Sequence, residues 1–249
     1  MESKGCGRTV GKMPCCTVIL GDCNDYLGQI SPGEIDLVVT DPPYGMNYVS
    51  NMRREKHRAI AGDGAYPEET VKKLLSLPRL AAYFFCRWDN LWEHGTLPKP
   101  ASVITWTKGG GFIGDVHHEH GRTSENILYY PGTEHAFKKR PSDVVKRPSD
   151  VVACPKEDCT IHPTQKPVWL IKQMLEWYDF ETVLDPYMGY GTTGRAALSL
   201  GKHFIGFEID PKYHCIACEV TQSKSRGPSI GQDVPDATFL ESWNTAEDK

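Results

Sequence analysis

The sequence has no long hydrophobic run. None of its apolar stretches approaches the roughly 20 residues that a helix needs to span a bilayer. Residues 1–14 mix glycine, lysine, arginine and threonine, without the apolar segment of a secretory signal. We therefore expect a chain that does not enter the membrane and that works in the cytoplasm.

The sequence also lacks a cysteine pattern that would indicate disulfides or structural zinc. Its nine cysteines are an odd number in a chain of 249 residues, which favours free thiols in a reducing compartment. The groupings are Cys15 with Cys16 and Cys23, Cys154 and Cys159 with His162, and Cys215 with Cys218. None combines two Cys-x-x-Cys pairs at zinc-finger spacing, and residues 117–120, rich in histidine, are interpreted as a polar loop. We expect no bound metal.

A strong charge of either sign is absent too. The net charge is −4, with 24% charged and 39% hydrophobic residues, which is ordinary for a globular protein. This balance neither supports nor excludes a nucleic-acid partner, because binding depends on where the basic groups lie. The length is sufficient for one α/β domain with one core.

Hydrophobic patterning predicts alternating strands and helices. The runs rich in apolar and β-branched residues are 17–20, 35–40, 81–86, 102–107, 126–130, 182–184 and 204–207. Helical spacing is clearest at 67–77, 167–178, 192–200 and 211–221. This alternation predicts an α/β fold with a mostly parallel sheet, in which ligands bind at the carboxyl ends of the strands.

Two parts of the chain do not follow this pattern. Residues 131–165 contain no convincing element and hold a seven-residue repeat, at 139–145 and 146–152, which is interpreted as a local duplication in a loop. From residue 222 onward the sequence is polar, which predicts a mobile tail.

A carboxylate and an aromatic ring follow the second predicted strand. Residues 35–40 run directly into Asp41-Pro42-Pro43-Tyr44, which would lie at the ligand-binding edge of the sheet. Asp-Pro-Pro is also a good turn by itself. The tetrapeptide therefore indicates a functional site only in combination with a second motif.

That second motif consists of a strand, a glycine turn and a helix. It runs from Val183 to Thr193 as Val-Leu-Asp-Pro-Tyr-Met-Gly-Tyr-Gly-Thr-Thr. Its glycines let the backbone approach a ligand and direct helix N–H groups at it, although Gly-x-Gly alone is weak evidence. The next predicted strand ends in Glu208, where an acidic side chain can accept hydrogen bonds from a ribose. Together these features indicate a cofactor that contains a nucleoside.

The sequence resembles the DNA amino-methyltransferases, in the β arrangement where the catalytic motif precedes the cofactor motif. The resemblance rests on Asp41-Pro42-Pro43-Tyr44, on His-Pro-Thr-Gln-Lys-Pro at 162–167 and on the loop at 185–193, and it extends from about Cys16 to Thr221. It implies a Rossmann-like S-adenosylmethionine-dependent methyltransferase fold that is circularly permuted. The implied sheet is seven-stranded and mostly parallel, with a late strand at 126–130 and a final strand that runs antiparallel.

The resemblance also sets the expected organisation of the chain. Residues 15–221 would form the methyltransferase catalytic domain, with a short recognition or loop region at 131–161. A flexible N-terminus at 1–14 and a polar tail at 222–249 would flank it.

Positions for S-adenosylmethionine follow from the same resemblance. The Asp22 carboxylate would hold the adenine, Glu208 would hold the ribose, and Thr164, Gln165 and Lys166 would face the methionine end. The glycine-loop residues implied to contact the cofactor are Asp185, Pro186, Tyr187, Gly189, Gly191 and Thr192.

The resemblance assigns Asp41, Pro42, Pro43 and Tyr44 to catalysis on an amino group of DNA. An exocyclic amino nitrogen is a poor nucleophile because its lone pair is delocalised into the ring. The Asp41 carboxylate and the Pro42 carbonyl would hold its two N–H groups and favour a pyramidal nitrogen. The base must leave the duplex, and the Tyr44 ring would stack on it.

Asp at position 41 favours the N6 amino group of adenine, because relatives that act on cytosine usually carry Ser there. Three alternatives stay open. They are cytosine-N4 methylation, methylation of RNA or of a protein amide through a related motif, and a cofactor-binding regulator without turnover. A restriction–modification enzyme and a solitary enzyme are both compatible with the sequence.

Short basic segments are the candidates for contact with double-stranded DNA. Relatives usually insert a larger recognition region where this chain has only 131–161, so recognition would use little protein. Basic side chains would neutralise phosphates, and a solvated charged loop is the alternative interpretation. The candidates are Arg53, Arg54, Lys56, Arg58, Lys139 and Arg140. The oligomeric state is not readable from the sequence, and a homodimer is compatible with it.

Overall fold

The strands and helices of the computed structural model follow the hydrophobic pattern of the sequence. The structure describes residues 7–45, 64–87, 97–107, 124–138, 140–145 and 165–222. Its strands are β1 (Thr9–Val10), β2 (Met13–Pro14), β3 (Thr17–Leu20), β4 (Ile35–Thr40), β5 (Pro78–Cys86), β6 (Ser102–Thr107), β7 (Ser124–Pro131), β8 (Val144–Val145), β9 (Thr182–Asp185) and β10 (His203–Glu208). Its helices are α1 (Asn24–Leu27), α2 (Glu68–Leu75), α3 (Val168–Leu175), α4 (Thr192–Ser199) and α5 (Pro211–Gln222).

A mixed sheet organises the described residues. Its strand order is β3-β10-β9-β4-β5-β7-β6-β8. Neighbouring strands are parallel, except that β7 runs antiparallel to both β5 and β6. The expected α/β fold with a mostly parallel sheet is therefore confirmed. The expectation that the final strand runs antiparallel is wrong, because β10 is parallel to both β3 and β9 and the antiparallel strand is the late one, β7.

All the strands predicted from the sequence are present, and the sheet has one more that was not expected. The extra strand, β8, has two residues, which pair in parallel with Thr105 and Trp106 of β6. Its Val145 is buried, whereas Val144 is exposed. A two-residue pairing leaves no periodicity in a sequence, so the prediction that residues 131–165 contain no element is wrong at this point.

Part of the N-terminal segment is ordered, which corrects the expectation of a flexible N-terminus. β1 and β2 form an antiparallel hairpin, in which Val10 pairs with Met13. Both of these side chains are buried in the core. The turn needs Gly11, whose φ is +54° and where a Cβ would overlap the Gln29 carbonyl oxygen. Two-residue strands are too short to be recognised from the sequence.

Side chains alternate along each strand, so the sheet has a separate core on each face. On β5, Tyr83 and Phe85 belong to the core that includes residues of α3, α4 and α5. Ala82 and Phe84, which alternate with them along the strand, belong to the core on the other face, which includes residues of α1 and α2. Both faces of the central strands are covered, which agrees with the continuous apolar runs in the sequence.

Two properties of the described ranges bear on the predictions from composition. No helix in these ranges is long and apolar enough to cross a membrane. None of the cysteines described in them, at 15, 16, 23, 86, 215 and 218, forms a disulfide bond.

A buried carboxylate joins the amino ends of three neighbouring strands. Asp36 lies in β4, and its Oδ1 accepts hydrogen bonds from Nε and Nη2 of Arg79 in β5 at 3.0 and 2.6 Å. Its Oδ2 accepts the backbone N–H groups of Glu181 and Thr182, next to and in β9, at 2.6 and 3.0 Å. Because one carboxylate binds to β5 and β9 at once, the carboxyl ends of these strands also stay in register with β4.

We predict that Asp36→Ala lowers the free energy of unfolding by about 2–4 kcal/mol, because it leaves Nε and Nη2 of Arg79 and two backbone N–H groups without their acceptor. Urea denaturation measures the loss. Glu134→Ala is the matched control, since Glu134 contacts the same Arg79 at 3.0 Å with a side chain that is 63% exposed. It should cost about 1 kcal/mol or less. Equal losses in the two variants would contradict the role given to Asp36.

Candidate active site

The carboxyl ends of four adjacent strands bring the sequence motifs to one edge of the sheet. In spatial order, Asp22 follows β3, Glu208 ends β10, Asp185 ends β9 and Asp41 follows β4. Parallel neighbours lie about 4.8 Å apart, so these four carboxylates form a row along the edge. Residues separated by up to 186 positions in the sequence thus share one surface.

Asp185 links the glycine loop to the catalytic motif. Its Oδ1 accepts hydrogen bonds from the Thr40 hydroxyl at 2.7 Å and from the backbone N–H of Tyr187 at 3.2 Å. Its Oδ2 accepts the Thr193 hydroxyl at 2.6 Å. Burial raises the pKa of the Asp185 carboxyl to about 6, although the hydrogen bonds from Thr193, Thr40 and Tyr187 act to lower it. These three hydrogen bonds are all to groups of the protein, so Asp185 helps to hold the glycine loop in its conformation.

The glycine loop lies on the end of β10. The backbone N–H of Met188 donates to the Phe207 carbonyl at 2.9 Å, and the Met188 side chain occupies the space where a Cβ on Gly206 would lie. Gly189 has a φ of +52°, and a Cβ there would meet nothing within 4 Å. The loop backbone is therefore open to an approaching group on the side where a Cβ of residue 189 would lie.

Glu208 supports this loop and remains able to accept further hydrogen bonds. Its Oε2 accepts the N–H of Gly189 at 2.8 Å, and its Oε1 accepts the N–H of Asp210 at 2.8 Å. Burial raises the pKa of the Glu208 carboxyl, although the hydrogen bonds from the backbone act to lower it. The carboxylate oxygens have lone pairs beyond those that these bonds use, so the group can accept a hydrogen bond from a further donor such as a ribose hydroxyl.

Apolar side chains beside Glu208 were not predicted from the sequence. Leu20, the β3 residue paired with Glu208, is 45% exposed, and Ile209 is 48% exposed. Large exposed apolar side chains next to a half-buried carboxylate suit a flat ring such as adenine. Their signal in the sequence is position alone, since each lies at the carboxyl end of a strand.

The remaining cofactor candidates lie around the same loop. Asp22 accepts both the backbone N–H and the side-chain amide of Asn24, at 2.8 and 3.0 Å, through one oxygen. Tyr187 is half-buried against the core that contains α1 and α2, and burial raises the pKa of its phenol. Pro186, Gly191 and Thr192 are buried, and a Cβ on Gly191 would lie 3.1 Å from Cα of Ala217 in α5.

Asp41 lies in a cluster of charged and aromatic side chains. Its Oδ1 accepts the Tyr44 hydroxyl at 2.5 Å, and its Oδ2 accepts a hydrogen bond from the Lys166 ammonium at 2.5 Å. Lys166 also lies 3.4 Å from Oε2 of Glu125 and 4.9 Å from the ring centre of Phe85. Burial, then the charge of Asp41, raises the pKa of the Tyr44 phenol. Glu125 and Phe85 were not identified from the sequence.

Several predicted site residues lie outside the described residues. They are Thr164 of the cofactor segment and the basic residues Arg53, Arg54, Lys56, Arg58 and Lys139. Of the others, Pro42 is buried, Pro43 and Gln165 are half-buried, and Arg140 is exposed. The structure thus brings the catalytic motif, the glycine loop and Lys166 together, and the DNA-binding set stays a prediction.

A family comparison agrees with this arrangement. The family model of the N6 and N4 methyltransferases, described as DNA methylase, matches residues 87–219, which is more than half of the chain. The chain belongs to this family of DNA methylases. The resemblance read from Asp41–Tyr44, 162–167 and 185–193 is thereby confirmed.

Individual methylases are similar over most of their length. YubD of Escherichia coli (strain K12) is 28% identical over 79% of this chain and 86% of its own. The type II methyltransferase M.BglII of Bacillus subtilis is 27% identical over 90% of this chain and 72% of its own.

Solved structures show the same fold. A complex of M1.HpyAVI with SAM has a TM-score of 0.54 at 23% identity, over 81% of this chain and 97% of that one. The cytosine-N4-specific PvuII DNA methyltransferase has a TM-score of 0.59 at 14% identity, over 92% of this chain and 91% of that one.

We predict a pH-dependent difference in stability between the wild type and Asp185→Asn. The pKa of Asp185 is about 6 in the folded methylase, above the ordinary value of 3.8 for an aspartate, so folding favours the protonated form. The stabilisation by this group is complete below a pH of about 4 and is lost as the pH rises through about 6. The free energy of unfolding that is lost in this way is about 2–3 kcal/mol. Asp185→Asn does not titrate, so wild type should lose this much stability relative to it.

Urea denaturation at pH 4 and pH 7 measures this difference. The exposed Asp179→Asn is the matched control and should follow the wild type at both pH values. Parallel profiles for wild type and Asp185→Asn would contradict the assignment of the shift to Asp185.

Proposed function

We propose that this methylase transfers a methyl group from S-adenosylmethionine to the N6 amino group of adenine in double-stranded DNA, with the target base rotated out of the helix. Membership of the N6 and N4 family supports methyl transfer to an amino group of DNA. The observation that carries the proposal is the position of Asp41, one strand away from the glycine loop and joined to it through Thr40 and Asp185.

The described residues fit S-adenosylmethionine along the row of carboxylates. Glu208 would accept hydrogen bonds from the ribose hydroxyls, and Ile209 and Leu20 would contact the adenine. The open space beside Gly189 would leave room for the part of the cofactor that lies against the backbone of the glycine loop. When bound there, the cofactor supplies a methyl group activated by its sulfonium. Asp22 is the proposed acceptor for the adenine amino group.

Asp41 and Tyr44 would act on the base. Asp41 Oδ1 would accept one N–H of the target amino group in place of the Tyr44 hydroxyl, and the Pro42 carbonyl would accept the other. Holding both N–H bonds directs the nitrogen lone pair toward the cofactor side of the site, where β9 ends. The Tyr44 ring would stack on the extruded base, an interaction worth about 1–3 kcal/mol.

The choice of adenine rests on the residue at position 41. Cytosine-N4 enzymes that resemble this chain usually carry Ser before Pro-Pro, and this chain has Asp. A carboxylate is a stronger acceptor than a hydroxyl and offers two oxygens. Methylation of cytosine N4 is the alternative, which the analysis of labelled nucleosides described below must exclude. A restriction–modification setting is part of the proposal, because the similar M.BglII is a type II methyltransferase.

For the cofactor, we predict that Glu208→Ala weakens S-adenosylmethionine binding about tenfold or more, because two ribose hydroxyls would lose a charged acceptor. Isothermal titration calorimetry gives the Kd directly. Glu181→Ala is the matched control, since Glu181 is an exposed glutamate at the opposite edge of the sheet. Unchanged affinity in Glu208→Ala would remove Glu208 from the proposed cofactor site.

For catalysis, we predict that Asp41→Ala lowers the rate of methyl transfer about 10²–10³-fold, the usual loss when one oriented transition-state interaction is removed. Its Kd for S-adenosylmethionine should stay close to that of wild type, because Asp41 lies two strands from Glu208. Tritium transfer from labelled cofactor to unmethylated duplex DNA measures the rate. Full activity in Asp41→Ala would refute the mechanism.

The same labelled DNA decides the target base. Enzymatic digestion to nucleosides should place the label in N6-methyladenine. Label found only in N4-methylcytosine would refute the choice of adenine and leave amino methylation intact.

A further inference from the structure

Lys166 is a buried cation between two carboxylates. Its side chain is 9% exposed, and its ammonium lies 2.5 Å from Oδ2 of Asp41 and 3.4 Å from Oε2 of Glu125. The face of the Phe85 ring lies 4.9 Å from the same nitrogen, which adds a cation–π contact. A buried ammonium is costly unless it is paired, and here both partners are anions.

These contacts lie on the base side of the proposed site. The carboxylates and the ring come from the end of β4, from β7 and from β5, which are neighbours in the sheet. Glu208 ends β10, which is separated from β4 by β9. The ammonium of Lys166 therefore contacts the base side of the proposed site, although the sequence resemblance assigned this residue to the methionine end of the cofactor.

The two carboxylates keep Lys166 charged. Burial acts to lower the pKa of the ammonium, but the charges of Asp41 and Glu125, together with the hydrogen bond to Asp41, outweigh it, so the pKa of Lys166 is raised. Glu125 thus anchors the cation from the far side. With Lys166 on Oδ2 and the Tyr44 hydroxyl on Oδ1, each oxygen of Asp41 accepts one hydrogen bond in this structure.

We propose that Lys166, anchored by Glu125, is a positioning residue for Asp41: it holds Oδ2 so that Oδ1 is presented to the target amino group. This inference rests on the proposed function. Lys166 acts through Asp41 and touches neither the base nor the cofactor. When the base enters, the Tyr44 hydroxyl leaves Oδ1, while the bond from Lys166 to Oδ2 keeps the carboxylate in its orientation.

The test compares Lys166→Met with wild type in single-turnover methyl transfer at saturating S-adenosylmethionine. Loss of the orienting cation should lower the rate about 10²-fold, the effect of a small misplacement of a reacting group, with no change in the cofactor Kd measured by calorimetry. Lys166→Arg keeps the charge and should recover most of the lost rate. The matched control is Lys202→Met, because Lys202 also pairs with a glutamate, at 2.7 Å, and lies 5.8 Å from an aromatic ring centre, away from this site.

A second variant separates positioning from folding. Lys166→Met leaves Asp41 and Glu125 as two neighbouring carboxylates without their cation, which destabilises the buried cluster. The double variant Lys166→Met with Glu125→Gln keeps the cluster at one negative charge, as in the wild type. It should bind the cofactor normally and still transfer the methyl group about 10²-fold slower.

Two results would overturn the inference. One is an unchanged transfer rate in Lys166→Met or in the double variant. The other is a weaker cofactor Kd with an unchanged rate at saturation, which would return Lys166 to the cofactor tail. The activity of the wild type tests the proposed function separately. No methyl transfer to DNA by the wild type would refute both the proposed function and the role of Lys166. An active wild type with an equally active Lys166→Met would refute only the role of Lys166.

Discussion

A buried hydrogen bond from the Thr40 hydroxyl to Asp185 joins the two halves of the candidate active site. Thr40 is the last residue of β4, directly before Asp41, and Asp185 is the last residue of β9, directly before the glycine loop. Methyl transfer in line requires that donor and acceptor be held to a fraction of an ångström. Two adjacent parallel strands, tied at their carboxyl ends by this bond and at their amino ends by Asp36, supply such a frame.

The frame explains why the two motifs can have different chemistry. On the β10 side, Glu208 uses backbone N–H groups of the loop, so its carboxylate is shaped by the glycine turn. On the β4 side, Asp41 is held by side chains, the Tyr44 phenol and the Lys166 ammonium. Backbone contacts are fixed by the fold, whereas side-chain contacts can exchange when a ligand arrives. The proposed base site is therefore the adaptable half.

Much of the site was predictable because its residues lie next to strands with clear hydrophobic runs. Asp41 and Glu208 follow β-branched or aromatic segments, and Gly189 and Gly191 precede a helix with apolar spacing. Glu125 and Phe85 were missed because nothing in their local sequence distinguishes them from ordinary strand residues. Their importance comes from pairing: β7 runs antiparallel beside β5, which brings the start of β7 to the carboxyl end of β5.

The sequence by itself determined the α/β class, the main strands and helices, the family and the identity of the motif carboxylates, since each of these depends on local pattern and spacing. The tertiary structure decided the order of the strands, the eighth strand, the ordered N-terminal hairpin and the neighbours of each carboxylate. Lys166 illustrates the difference. Its motif predicts a functional role, but only the packing of three strand ends shows that its ammonium contacts Asp41 and Glu125, because contacts between distant segments leave no trace in local sequence.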